Sequence, residues 1–552
     1  MRPVIYQVLP RLFGNGKAGK NVPGGTLEEN GCGHLSAFTP AVLRRLRGAG
    51  YTHVWYTGLL RHATQTPRPA LGIPADHPDV VKGRAGSPYA ISDYYDIDPD
   101  LCDDPARRHE EFDALVGRTH RAGLKVVMDF VPNHVARRYR SVCAPDGLRD
   151  LGADDDTSLA FSPANNFYYL PGETLHTDRF APGSDYREQP ARATGNDCFH
   201  AWPSRDDWYE TVKLNYGQDY QGGGRCHFDP VPSTWLKMTQ ILLHWAGRGV
   251  DAFRCDMAEM VPPAFWQYAI AEVKRQYPGV LFIAEVYNPA RYREYIGSGF
   301  DYLYNKVGLY DTLRAIVGGT KWACDVTREW QAVDDIADRM LNFLENHDEQ
   351  RIASDFFAGR ADAGLPAFIV AALMGRAAVM VYAGQEVGER GMEAEGFSGR
   401  DGRTTIFDYW RVDTLSRLAR GLNRLTREER RLYDAYAAVT RLCSGDAAFA
   451  EGGFYDLMYA NFDRPASFDP SRQYAFLRTA PSRSVLVVAN FAAEAREVEV
   501  IVPAHAFEFA GLATGARQCT DLLGGAPQTL DLAPDRPVRI AVPGYGGVAL
   551  QF

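Results

Sequence analysis

Eight short apolar runs, separated by longer stretches of helical periodicity, set the limits on how this chain folds. The runs are residues 4–9, 52–57, 125–131, 250–256, 280–286, 301–304, 340–344 and 377–382. They are apolar on both faces, as strands covered on both sides must be. Between them lie helix-like segments at 40–49, 105–122, 233–247 and 263–277, several opening on proline or a capping residue and closing at glycine. Strands alternating with helices give a parallel α/β sheet, and eight strands predict closure into a (β/α)8 TIM barrel. An open doubly wound sheet is the alternative with the same alternation.

The alternation breaks once. Residues 137–232, with "DLGADDDTSLAFSPANN", are rich in Gly, Pro, Asp and Tyr and too irregular for a single loop. They read as an insertion domain after the third strand. Beyond residue 441, alternating runs such as "SVLVVANF" and "REVEVIVP" replace the helical period and predict an antiparallel β-sandwich. The expected organisation is therefore a barrel at 1–136 and 233–441, an insertion at 137–232 and a β-domain at 442–552.

Bulk properties exclude several classes. The 552 residues carry a formal net charge of −9 with no concentrated Lys/Arg arm, which argues against a nucleic-acid partner. No apolar run approaches the ~18 residues a membrane helix needs. Nine cysteines, odd in number and without CxxC spacing, fit reduced thiols better than a disulfide framework or a zinc site. The opening "MRPVIYQVLP" lacks a signal-peptide h-region, so a cytoplasmic protein is the default expectation. "GNGKAGKN" (14–21) nearly matches a phosphate-loop pattern. Asn21 replaces its hydroxyl residue, and "VPGGTLEENGCG" cannot open the helix that would hold a phosphate. A surface loop is expected there, and no organic cofactor.

Charged residues gather at the ends of the predicted strands. The third ends in "MDFVPNH", with Asp129, Asn133 and His134; the fourth carries Arg254 and Asp256; the fifth ends at Glu285; the seventh runs into "FLENHDEQR", with His347 and Asp348. In a parallel barrel these ends converge on one face. Two carboxylates across a pocket suit glycosidic cleavage, one attacking the anomeric carbon and the other donating a proton to the leaving oxygen. Arg254, two residues from Asp256 and on the same strand face, is expected to keep Asp256 ionised. Glu285, leaving the apolar "VLFIA" run, is expected to have its pKa raised by desolvation and to act as the acid.

Four segments in order, "DFVPNH", "DAFRCDMAE", "FIAEVYN" and "FLENHD", resemble the four signature regions of the α-amylase family, glycoside hydrolase family 13. The resemblance covers essentially the whole chain. It implies a retaining mechanism with Asp256 as nucleophile, Glu285 as general acid/base and Asp348 holding sugar hydroxyls. It also implies substrate binding by Arg254, His134, His347 and Tyr89, the last in "SPYAISDYY". Asp93 is expected to be structural, and Gln385 and Glu386 of "VYAGQEVG" to support the rim.

The pattern is also departed from. Glu259 and Met260 stand where many α-amylases have a Lys-His pair that contacts leaving-side sugars, and "TVKLNYG", near Leu214 and Asn215, is atypical. Asn133 matches a calcium-liganding asparagine, and Asp154, Asp155 and Asp156 offer hard oxygens nearby. Calcium at Asn133 and a merely solvated acidic loop are the two readings. The implied substrate is an α-1,4-glucan: starch, glycogen or maltooligosaccharide. Glucanotransferase, α-glucosidase or neopullulanase specificity is the alternative on the same mechanism, and a non-catalytic carbohydrate-binding relative the remote one.

Overall fold

A computed structural model describes every residue except 1, 396, 398, 464–466 and 482. Eight parallel strands close into a barrel: β1 (Val4–Val8), β2 (His53–Tyr56), β3 (Lys125–Phe130), β4 (Ala252–Cys255), β5 (Leu281–Ala284), β6 (Tyr302–Tyr304), β7 (Met340–Asn342) and β8 (Ala378–Tyr382). β1 pairs with both β2 and β8, which closes the ring. The open-sheet alternative is thereby excluded. Helices fall where the periodicity puts them, at Pro40–Gly48, Arg108–Arg121, Ser233–Gly247 and Pro263–Gln276. Thr39 caps the first by accepting from the Val42 amide, with proline at the first helical position.

Side-chain alternation sorts each strand into two rows. The outward row (Val4, Tyr6 and Val8 on β1; Val126, Met128 and Phe130 on β3; Phe253 and Cys255 on β4; Phe282 and Ala284 on β5) joins the main core beneath the helices. The inward row packs separately inside the barrel, from Ile5, Trp55, Val127, Ala252, Ile283, Leu341, Ala378 and Met380. Two residues further along four of those strands stand Gln7, Asp129, Arg254 and Glu285. The barrel therefore has an apolar floor and a polar mouth at the C-terminal strand ends.

Residues 137–232 contribute only two- and three-residue ladders. One of them pairs His134–Ala136 with Thr211–Lys213 and ties this segment to the barrel mouth. Toward the C-terminus a six-stranded antiparallel sheet runs from Gly453–Asp456 to Gly546–Gln551, accompanied by the Arg496–Ile501/Pro537–Val542 ladder. Residues 14–21 form a loop followed only by the four-residue helix Leu27–Asn30, and Asn21 bonds the Arg411 backbone on both sides of its amide. All nine cysteines are free. No helix among the described residues is long and apolar enough to cross a membrane.

Gly86 locks the turn that leads into Tyr89. Its φ is +84°, and a Cβ there would lie 1.7 Å from the Ala63 carbonyl oxygen. We expect Gly86→Ala to destabilise the chain by about 3 kcal/mol or more. Gly48→Ala is the control, because Gly48 is helical and has nothing within 4 Å of the added methyl. Denaturant unfolding of the two variants makes the comparison, and equal midpoints would contradict this reading of Gly86.

Candidate active site

The mouth is organised around Arg254, which is 0% exposed. Register places it beside Asp129 on β3 and Ile283 on β5. Its Nη1 donates to Asp256 Oδ1 at 2.8 Å and lies 3.7 Å from Asp129 Oδ1. Its Nη2 is 2.8 Å from Glu285 Oε2, a charge contact without hydrogen-bond alignment. Nε donates to the Tyr304 hydroxyl at 3.2 Å. The rings of Trp55, Tyr89 and Tyr304 flank the cation at 5.3, 5.5 and 5.4 Å from their centroids. Charge pairing and aromatic faces together offset the cost of burying a guanidinium.

Each carboxylate has its own support. Asp129 accepts from Trp55 Nε1 at 3.0 Å and from the Gly58 amide at 3.3 Å, and the Tyr89 hydroxyl donates to its other oxygen at 3.4 Å. Glu285 Oε2 accepts from the Met257 amide at 2.7 Å, while Oε1 accepts from the Tyr287 hydroxyl at 2.6 Å. Met257, directly after Asp256, has a φ of +43°, a left-handed conformation costly for this side chain. That turn points its amide at Glu285. Asp348 Oδ2 lies 3.1 Å from His347 Nε2.

His347 stacks on Tyr89 with centroids 5.0 Å apart, and its Nδ1 is 2.7 Å from the Gln7 amide. His134, which follows β3 across the ring from β7, has its ring centroid 5.2 Å from that of Trp208. The structure thus brings Tyr89, His134, Arg254, Asp256, Glu285, His347 and Asp348 to one barrel end. Asp93 is buried away from the mouth and holds Arg61, Ser141 and the Val142 amide. Glu386 accepts from the Tyr6 hydroxyl and the Gly384 amide, and Gln385 donates to Tyr436, which are rim-supporting contacts.

The charge balance departs from the sequence expectation. Arg254 was assigned to Asp256; the structure shares it among Asp256, Glu285 and Asp129. Burial raises the Asp256 carboxyl well above the usual aspartate range, Glu285 and Asp348 add to the rise, and the guanidinium opposes without cancelling it. Burial likewise brings Asp129 to about 6 against the pull of Arg254. Asp348 is pushed up to about 7 by burial and then by Glu285. Its side chain is nonetheless 44% exposed, because it stands deep in the protein but faces the open cleft. One guanidinium among four carboxylates leaves a cluster that retains protons toward neutral pH. Burial and Arg254 depress the His347 pKa well below the usual range. Burial and Lys213 take His134 to about 3, so both imidazoles are neutral donors or acceptors.

Calcium does not fit at Asn133. Its Oδ1, the oxygen a metal would use, accepts from the Lys213 ammonium at 2.7 Å. Asp154 pairs with Arg149, Asp155 accepts from the Asn166 and Phe167 amides and the Tyr169 hydroxyl, and Asp156 binds Ser158. Metal-capable side chains also gather at Asp96–His109–Cys143 and at His77–Asp79–Asp185. In the first, Arg108 already engages both Asp96 and Cys143.

Sequence reasoning missed Gln7, Trp55, Tyr287, Tyr304 and Lys213. The first two and Tyr304 sit on inward strand rows, a signal available once the alternation is followed to each strand's end.

A sequence-family model described as "Alpha amylase, catalytic domain" matches residues 7–169. Over those residues the chain is similar to the α-amylase catalytic domain. Similar proteins include neopullulanase 2 of Thermoactinomyces vulgaris, 22% identical over 513 residues, 91% of this chain and 71% of that protein. An α-1,4-glucan:maltose-1-phosphate maltosyltransferase of Cereibacter sphaeroides is 25% identical over 234 residues, 38% of this chain. That match spans about a third of the curated relative's length, 34%, as does the 31% for maltase 1 of Drosophila virilis. In fold, the chain is similar to the maltogenic α-amylase AmyB of Thermotoga neapolitana, with a TM-score of 0.64, 20% identity and coverage of 100% and 98% of the two chains.

The raised Asp348 pKa has a sign that can be tested. A carboxyl whose folded pKa exceeds its unfolded value of ~3.9 makes the folded state bind more protons. Stability is then lost as pH rises from about 4 through about 7. Asp348→Asn removes that loss, so its melting temperature should exceed the parent's by a margin that grows from pH 4 to pH 7.5. Scanning calorimetry across that range checks it, and a constant or shrinking margin would contradict the assignment.

Proposed function

We propose that this chain is a retaining glycoside hydrolase that cleaves α-1,4-glucosidic bonds in starch, glycogen or maltooligosaccharides. The supporting observation is that Asp256 and Glu285, following two different strands, both contact the buried Arg254 guanidinium, while Asp348, following a third, lies within electrostatic reach of it. Asp256 and Glu285 both contact Arg254 at 2.8 Å, which keeps their carboxylates within about 8 Å of each other, the span of two such contacts and a guanidinium. That is the scale on which paired carboxylates act at a glycosidic bond.

In this reading Asp256 attacks the anomeric carbon while Glu285 gives its proton to the leaving oxygen. Glu285 then takes a proton from the incoming water as that water attacks the glycosyl–Asp256 ester, which restores both groups. Burial raises the proton affinity of Asp256, Asp129 and Asp348, so the cluster as a whole retains protons toward neutral pH. Asp348 and His347 hold hydroxyls of the same sugar, Tyr89 stacks on its face, and His134 donates from the opposite wall. Asp129 braces Arg254 from below.

A second reading, glycosyl transfer to a sugar or phosphate, is favoured by the acceptor side. Glu259, in place of a lysine, spends both its oxygens at 3.2 Å on the backbone amides of Tyr287 and Asn288. Glu259 itself thus offers no cation where the family pattern has one. Added maltose that yields longer products at the expense of hydrolysis would select this reading.

Two outcomes test the proposal. Glu285→Gln should lower reducing-end release from soluble starch by several orders of magnitude while the melting temperature stays close to the parent's, and equal rates would refute it. Early in the hydrolysis of maltoheptaose, NMR should show the newly formed reducing end as the α-anomer; a β-anomer would replace retention by inversion.

A further inference from the structure

Lys213 is 1% exposed, a location in which an ammonium must be paired to persist. Its partners are Asn133 Oδ1 at 2.7 Å, Asp197 Oδ1 at 2.5 Å and the Tyr220 ring at 5.3 Å. Asp197 holds a φ of +64°, in the left-handed region, within a turn closed by its amide on the Thr194 carbonyl. The Lys213 and Leu214 amides donate to Ala193 and Asn133 carbonyls. One cation therefore joins the third-strand loop, the 193–198 turn and the 211–213 strand.

The same contacts fix the orientation of Asn133. An ammonium only donates and a carbonyl only accepts, so Oδ1 faces Lys213 and Nδ2 faces the Gly195 carbonyl, 2.7 Å away. The second hydrogen on Nδ2 points to His134 Nδ1 at 3.2 Å. That nitrogen must accept, which leaves the His134 proton on Nε2.

We propose that Lys213 is a built-in cation that replaces a calcium ion at this junction and, through Asn133, holds His134 in the Nε2–H tautomer. Lys213 is a positioning residue; the value of that tautomer to substrate rests on the function proposed above. The fold around Asn133 is accordingly calcium-independent, and His134 presents a donor hydrogen whatever the calcium concentration.

The test uses the full chain after dialysis against EDTA. Scanning calorimetry with and without millimolar calcium chloride should give the same melting temperature, and a rise of several degrees on adding calcium would overturn the proposal. Long-range proton–nitrogen NMR of histidine-labelled protein, with His134 assigned from a His134→Gln sample, should show Nδ1 bare and Nε2 protonated. The opposite tautomer would also overturn it. Lys213→Met should melt several degrees lower and lose the distinct Nδ1 signal, whereas an unchanged His134 spectrum would contradict the relay. If that variant does not fold, the two measurements on the parent still decide, and neither reads activity. Their failure is therefore distinct from failure of the hydrolase reading.

Discussion

A single buried guanidinium holds this site together. Arg254 is reached by strands β3, β4 and β5 at once, and it carries the only cation in contact with Asp256, Glu285 and Asp129 among the described residues. Removing it would leave three buried or half-buried acids facing one another without compensation, a change of the kind that costs ~3–5 kcal/mol in a buried ion pair. The aromatic collar of Trp55, Tyr89 and Tyr304 shields it from water and strengthens each of its pairings. The acids are still not neutralised. Burial first, and repulsion between neighbouring acids after it, raises the proton affinity of Asp256 and Asp348, which suits chemistry that needs one ionised and one protonated carboxyl.

The barrel supplies this arrangement by the simplest periodicity available to it. Ile5 and Gln7, Val127 and Asp129, Ala252 and Arg254, and Ile283 and Glu285 are each two residues apart, and each pair steps from the dry barrel interior to the wet mouth. An apolar floor raises the electrostatic stakes above it, because low polarizability beneath the acids makes every uncompensated charge more costly. The stability lost there is carried by the large outer core between strands and helices. The left-handed Met257 is a second local cost, met by the Glu285 oxygen that its amide secures.

Much of this could be read from the residues. All eight strands appeared as apolar runs, and several observed ladders begin one or two residues inside them because the flanking Val250 and Val280 are buried without joining the ladder. Arg254 and Asp256 stood out because charge inside an apolar run demands a partner. Legibility failed where the partner comes from far along the chain. Lys213 meets Asn133 across 80 residues and Gln7 meets His347 across 340, and no local pattern encodes either encounter. The same holds at Asn133: the asparagine is visible in sequence, whereas the ammonium that donates to its oxygen is brought there by the fold. The pairing of Arg254 with Asp256 was visible, but its sharing with Glu285 needed the geometry of the neighbouring strand.

In the proposed mechanism Asp256 forms the covalent bond to sugar. The most direct measurement is peptide mass spectrometry after incubation with a 5-fluoro-α-glucosyl fluoride, whose leaving group needs no acid and whose ring fluorine slows breakdown of the ester. A fluoroglucosyl mass is expected on the peptide containing Asp256 and on no other. Steady fluoride release with no adduct, or an adduct on a different residue, would contradict it.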